Sequence, residues 1–181
     1  MASKGAGRLS RHLESVAELG AELAIRAGIS PGRVRLAANL HDRLKPLSPA
    51  RLAGIMRECG ELMDAETSCV PELWHGWAAA ADARHHSGVR DREILEAVRW
   101  HSTGRAGMSA LGKILFVADF CSEDRRFPEA VEGRRLARKC LNLGVRYVLA
   151  SKLAWLMECG VKPHSASLGF WRSFFREVAV G

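Results

Sequence analysis

The sequence predicts an all-α fold, a single compact helical bundle. Three observations carry this expectation. Apolar residues recur at the helical period in nearly every segment. No segment keeps the strict alternation of a half-buried strand. Helix start and stop signals, Ser-Pro or Asp before and Gly after, punctuate the chain at short intervals. The 181 residues suit one domain with one sizeable core. The expected division is a functional core over about 8–142, with C-terminal helices over 143–181 packed on it.

In chain order, the first predicted helix runs over 8–26. Leu9, Leu13, Val16, Leu19 and Leu23 line one side, and Gly28 stops it. Ser30-Pro31 reads as an N-cap with proline at the first helical position, and the helix it opens carries Val34, Ala37, Ala38 and Leu40 into His41-Asp42. Ser48-Pro49 repeats the signal and opens a helix through Met56 towards Gly60. A looser stretch is expected over 61–71, then an Ala-rich helix over 71–86 ending before Gly88. Asp91 caps a helix whose apolar side is Ile94, Leu95, Ala97 and Val98 and whose end is His101. Gly104 and Gly107 mark a tight turn. The segment 108–120 is the most apolar and should be central. Pro128 begins another helix, and 142–157 and 163–178 read as two more.

Composition narrows the function. The formal net charge of +7 favours anionic partners such as nucleotides and polyphosphates. The five cysteines, Cys59, Cys69, Cys121, Cys140 and Cys159, are widely spaced with no Cys-x-x-Cys. That argues against a zinc ribbon or disulfide framework and for reduced, mostly buried thiols in a cytoplasmic protein. The first residues, MASKGAGRLSRH, lack the apolar run of a secretory signal. The best membrane candidate, 145–157, is interrupted by Arg146 and Lys152.

Six residues point to a chemistry. His12, His41, Asp42, His75, His101 and Asp119 lie in or at the ends of predicted helices. Asp119 sits inside ILFVADF, where a charge is costly unless paired or bound to a metal. Imidazole and carboxylate donors suit iron, manganese, cobalt or zinc, and a carboxylate beside a histidine can bridge two ions through its two oxygens. Any one histidine on an apolar face is more often a satisfied core residue; the joint pattern is what indicates a metal site. His85-His86 reads as a solvated helix end, and His164 sits beside Pro163. Neither is placed in the site.

The motifs RHLESV, AANLHDRLK, ELWHG, ILEAVRWHSTGRAGMSALGKILFVAD and DRRFPEAVEGRRLA together resemble the HD-domain superfamily, and within it the YqeK family of symmetrical dinucleoside tetraphosphatases. The resemblance runs from Arg11 to about residue 142. It implies a bundle of the HD-domain type. By that resemblance His12, His41, Asp42 and Asp119 would hold one ion, and Asp42 would bridge to a second held by His75 and His101. The implied cofactor is a pair of divalent ions, iron first, and the implied substrate is diadenosine tetraphosphate, cut to two molecules of ADP. The chain departs from the family at Ser122 and Glu123, where an acidic residue and then proline are usual, and at Arg126, where an acidic residue is common.

The expected reaction is attack of a metal-bridging hydroxide on a β-phosphorus, with ADP leaving. Asp42 and Lys45 are the catalytic candidates. Lys45, one turn after His41, is also a phosphate contact, together with Thr103, Gly104, Arg105 and Arg125. Arg134, Arg135, Arg138 and Lys139 read as a solvated helix face, and Trp74, Trp77 and Trp100 as core packing rather than adenine stacking. No stable nucleic-acid or membrane partner is expected, and a homodimer is allowed. Three rivals stay open: another HD phosphohydrolase acting on mononucleotides or a signalling nucleotide, a di-iron oxygenase, and a non-enzymatic nucleic-acid-binding module.

Overall fold

The computed structural model describes residues 2–176, and the expected end of the last helix at Val178 lies outside them. Among the described residues there are ten α-helices, one 3-10 turn and no strand. They are α1 (Ala2–Arg26), α2 (Pro31–His41), α3 (Pro49–Glu58), α4 (Ala65–Ser68), the 3-10 turn Pro71–Leu73, α5 (Trp74–His85), α6 (Arg92–Trp100), α7 (Ala110–Cys121), α8 (Pro128–Lys139), α9 (Leu141–Glu158) and α10 (Ser165–Arg176).

The boundaries follow local chemistry, with instructive exceptions. Ser48 accepts a hydrogen bond from the Arg51 N–H and Asp91 accepts from Glu93 and Ile94, as N-caps should. Ser30 sits at the N-cap position of α2, but its side chain makes no capping bond. There the proline, whose φ is already helical, starts the helix. The stretch expected to be loose contains α4, capped by Asp64 through the Thr67 N–H. The helix expected from Pro71 begins as a 3-10 turn and becomes α only at Trp74. Likewise α7 starts at Ala110 rather than residue 108, because the Ser109 hydroxyl accepts from Gly112 and fixes the entry.

Helix α7 is the central element, in contact with α1, α2, α6, α8 and α9. Leu111, Ile114, Leu115, Phe116, Val117, Ala118 and Cys121 are all buried. Each large side chain among them stabilises by about 1.5–3 kcal/mol on burial, so α7 is held firmly where Asp119 leaves it. A smaller cluster of Leu52, Met56, Trp77 and Ala78 joins α3 to α5.

The turn between α6 and α7 depends on Gly104. Its φ is +64°, and a Cβ there would lie 2.4 Å from the Phe170 ring. Only glycine satisfies both demands. The turn is thus pinned to α10 directly behind His101.

Two side-chain expectations fail. Cys69, Cys140 and Cys159 are exposed, and only Cys59 and Cys121 are buried. Arg134 is not solvated: it is buried and donates to the Cys121 carbonyl at 2.8 Å. A helix end whose carbonyls need donors takes in the guanidinium. Arg135 keeps the solvated arrangement, paired along its own helix with Glu132. No helix among the described residues is long and apolar enough to cross a membrane.

Candidate metal centre

Five elements deliver the six candidate residues to one place. His12 comes from α1, His41 and Asp42 from the end of α2, His75 from the first turn of α5, His101 from just after α6 and Asp119 from α7. They form two overlapping groups. In His12, His41, Asp42 and Asp119, and again in Asp42, His75 and His101, one donor atom from each residue lies within 4.8 Å of all the others. Asp42 belongs to both. Its Oδ2 is 3.7 Å from His41 Nε2, and its Oδ1 is 3.1 Å from His75 Nε2 and 3.4 Å from His101 Nε2. One oxygen faces each group.

Three of the histidines are oriented by the same device. Nδ1 of His41, His75 and His101 each donates to the carbonyl three residues earlier: Ala38 at 2.7 Å, Glu72 at 2.8 Å and Val98 at 2.8 Å. A carbonyl can only accept, so Nδ1 carries a proton, and the tautomer this selects presents its lone pair at Nε2. Burial pushes the pKa of His101 down to about 4, so this ring is neutral at pH 7. The His75 and His101 Nε2 atoms are nonetheless 3.1 Å apart. Two facing lone pairs beside a carboxylate repel each other, and a cation among them removes the repulsion.

Unsatisfied atoms point the same way. His41 Nε2 and Asp42 Oδ1 are fully buried with no hydrogen-bond partner. Leaving a buried polar atom unpaired costs about 1–3 kcal/mol. Burial would raise the pKa of Asp42, but the imidazoles packed against it, His101 and His75 first and then His41, outweigh it and hold the carboxylate well below its usual range. Asp119 is depressed in the same way, against burial, by His12 and His41. The donor set is therefore ionised carboxylate plus imidazole nitrogen, which fits divalent ions.

His12 is held differently. Its Nε2 lies 3.2 Å from Asp119 Oδ1 and its Nδ1 3.0 Å from Asp124 Oδ2. Burial opposes protonation of the ring, but Asp119 and Asp124 together outweigh it and raise its pKa. Asp124 stands in the tight turn after α7, where its N–H donates to Ser15 Oγ of α1. The turn contains the Ser122-Glu123 departure, and Glu123 ties it down through Arg134 and Arg138. Sequence reading passed over Asp124, since an acidic residue in a polar turn gives no local signal of a histidine more than a hundred positions away. Replacing Asp124 with Ala is expected to weaken metal affinity about 10- to 100-fold, as loss of a carboxylate behind a ligand histidine does. Metal titration of the variant against wild type measures it.

The candidate phosphate contacts divide. Lys45 Nζ donates to Asp42 Oδ2 at 2.7 Å, with its side chain half exposed. Arg125 is partly buried and its Nε has no partner. Arg105 is already paired with Glu96 at 2.7 Å. Thr103 is partly exposed beside His101, and its carbonyl accepts from Ser167. The Gly104 N–H, expected to meet phosphate, is spent on the Trp100 carbonyl at 2.7 Å. Gly104 is buried and shapes the turn instead. Trp77 packs edge-on against Trp100, and Trp74 donates to the Thr67 carbonyl, so the three tryptophans around the histidines serve packing. His85 and His86 are exposed, and His164 is buried against Thr67. None of these three belongs to either group.

A helical core that gathers imidazoles and carboxylates from five elements defines a metal-dependent phosphohydrolase centre. The HD domain family matches residues 9–124, a span that contains all six candidates, and the chain belongs to that family. Two relatives carry the name symmetrical bis(5'-nucleosyl)-tetraphosphatase. One, from Bacillus subtilis (strain 168), is 33% identical over 150 residues, covering 81% of this chain and 78% of the relative. The other, from Halalkalibacterium halodurans, is 31% identical over 148 residues, covering 82% and 79%. Among solved structures, a predicted HD superfamily hydrolase involved in NAD metabolism from Clostridium acetobutylicum superposes with a TM-score of 0.87 at 25% identity, covering 92% of this chain and 88% of that one.

Proposed function

We propose that the chain hydrolyses diadenosine tetraphosphate symmetrically to two molecules of ADP, using two divalent ions. The observation that carries this reading is the sharing of Asp42, one oxygen to each histidine group. The relatives named for this activity support the substrate class. His12, His41, Asp42 and Asp119 would hold one ion, and Asp42, His75 and His101 the other. Iron is the first choice, with manganese, cobalt and zinc compatible with the same donors. Thiolate does not enter the set: burial pushes the nearby Cys121 thiol up to about 12.

When bound, the ions would supply an activated water and neutralise charge on the phosphoryl oxygens. The chain's own residues position the polyphosphate. Symmetrical cleavage adds the water oxygen to one inner phosphorus and breaks its bond to the central bridging oxygen, which leaves with the other ADP. Lys45 can turn from Asp42 to a phosphate oxygen, because its side chain is half exposed at the edge of the site. Arg125, with a nitrogen that lacks a partner, can take a second phosphate. Arg105 would first have to leave Glu96, and its role is the weaker one.

The test is product analysis by chromatography after protein loaded with ferrous iron is given diadenosine tetraphosphate. ADP as the only product is expected. ATP plus AMP would move the attack to an outer phosphorus. No turnover with metal bound would overturn the reading.

A further inference from the structure

Two clefts open on either side of Lys152, in the middle of α9. The larger, of about 670 Å³, is lined by Phe120, Phe127 and Trp155, with Ser151 and Lys152 on α9 and the carboxylates of Glu129 and Glu158. The smaller, of about 260 Å³, shares Lys152 and Trp155 and reaches Ser102 and Thr103 beside His101. Phe120 is the residue after Asp119. Ser102 is the residue after His101, so each cleft is lined by a chain neighbour of a metal-centre residue.

Lys152 joins them. Its Nζ donates to the Ser102 carbonyl at 2.9 Å and stands 4.5 Å from the centre of the Phe116 ring. Burial lowers its pKa, and Asp119 opposes that, so the ammonium is electrostatically coupled to the metal centre. Lys152 is the cation that both clefts share, an arrangement that matches a ligand whose anionic middle carries an apolar ring at each end. The larger cleft lies within the usual volume range for a small-ligand site, about 300–1,000 Å³. Its aromatic walls suit a base: Phe120 and Phe127 meet edge-on at 5.2 Å, and Trp155 is 62% exposed beside them. An exposed tryptophan at the mouth of a cleft offers a face for stacking.

We propose that the larger cleft is a nucleobase seat: Trp155 stacks on one purine of the substrate, Phe120 and Phe127 line its pocket, and Lys152 holds the adjoining phosphates. Glu129 and Glu158 accept hydrogen bonds from the base amino group or the ribose hydroxyls. The inference rests on the dinucleotide reading above.

The test uses binding, so that it does not depend on turnover. Binding of ADP and of inorganic pyrophosphate to the metal-loaded protein is measured by calorimetry, for wild type and for Trp155→Ala, a substitution at an exposed side chain. ADP is expected to bind wild type more tightly than pyrophosphate. The variant should lose about 10- to 100-fold in ADP affinity, the size of one base–aromatic stack, with pyrophosphate affinity within about twofold. Equal loss for both ligands, or no loss for ADP, would overturn the seat. So would a change in oligomeric state with ADP binding intact, which would make this face a contact between copies of the chain. Failure of the dinucleotide reading looks different: wild type would bind ADP more tightly than pyrophosphate and still release no ADP from diadenosine tetraphosphate.

Discussion

Replacing Asp42 with Asn is expected to leave a folded protein that holds metal at neither histidine group and turns over no substrate. The amide keeps the shape of the carboxylate but removes the charge and one of the two accepting oxygens. Asp42 is 1% exposed and lies within 3.1–3.7 Å of Nε2 of His75, His101 and His41. Among the described residues no other carboxylate serves both groups, because Asp119 belongs only with His12, His41 and Asp42. Loss of a single group that stabilises transition-state charge costs about 10²–10³ in rate, and Asp42 would support both ions, so the loss should exceed that range. Elemental analysis of the purified variant and its initial rate with diadenosine tetraphosphate measure the two effects. A variant with full metal content and wild-type rate would refute the shared-ligand assignment. The buried apolar side chains of α7 are untouched by the substitution and should keep the variant folded, which a melting curve checks.

Substituting Gly76 with Ala should separate the two groups. Gly76 follows His75 in α5, where α5 crosses the end of α6. A Cβ at this position would lie 2.9 Å from the Val98 carbonyl oxygen, 3.0 Å from that of Arg99 and 3.2 Å from His101 Cε1. Two of these neighbours are backbone, so the helices must move apart. Overpacking of this kind costs about 1–3 kcal/mol. The melting temperature should fall by several degrees, at about 2–4 °C per kcal/mol for a chain of this size. The same displacement carries His75 away from Asp42 and His101. A shift of about 1 Å in a positioned group can cost about 10²-fold in rate. The group of His12, His41 and Asp119 is built from α1, α2 and α7 and stays in place. One ion per chain instead of two, with activity reduced about a hundredfold, is the expected result. Two ions and an unchanged rate would show that the α5–α6 approach does not position the site.

These two expectations differ in how far the sequence alone could have reached them. Asp42 was legible because it stands beside His41 at the end of an apolar helix. Asp119 was legible because a carboxylate inside ILFVADF needs a reason. Gly76 could be read only as part of ELWHG; its function is a clearance between two helices, which no local pattern records. Lys152 carried the same signal as Asp119, a charge in an apolar helix, yet read only as an interruption of a membrane-like stretch. Trp155 gave no signal, since a tryptophan in an apolar segment is ordinarily core, and the exposure of this one follows from where α9 meets α7 and α8.

Sequence by itself determined the helical class, the positions of most helix ends and the candidates for the donor residues. Those rest on local physics: hydrophobic period, caps, glycine at positive φ, and the cost of burying a charge. Tertiary structure alone decided which oxygen of Asp42 faces which histidines, that Asp124 backs His12, that Gly104 spends its N–H within the turn, and that Arg134 is buried rather than solvated. Each of these depends on the approach of elements far apart in the chain. Their separation and angle are set by the packing of the whole core around α7, and no short window of sequence contains that information.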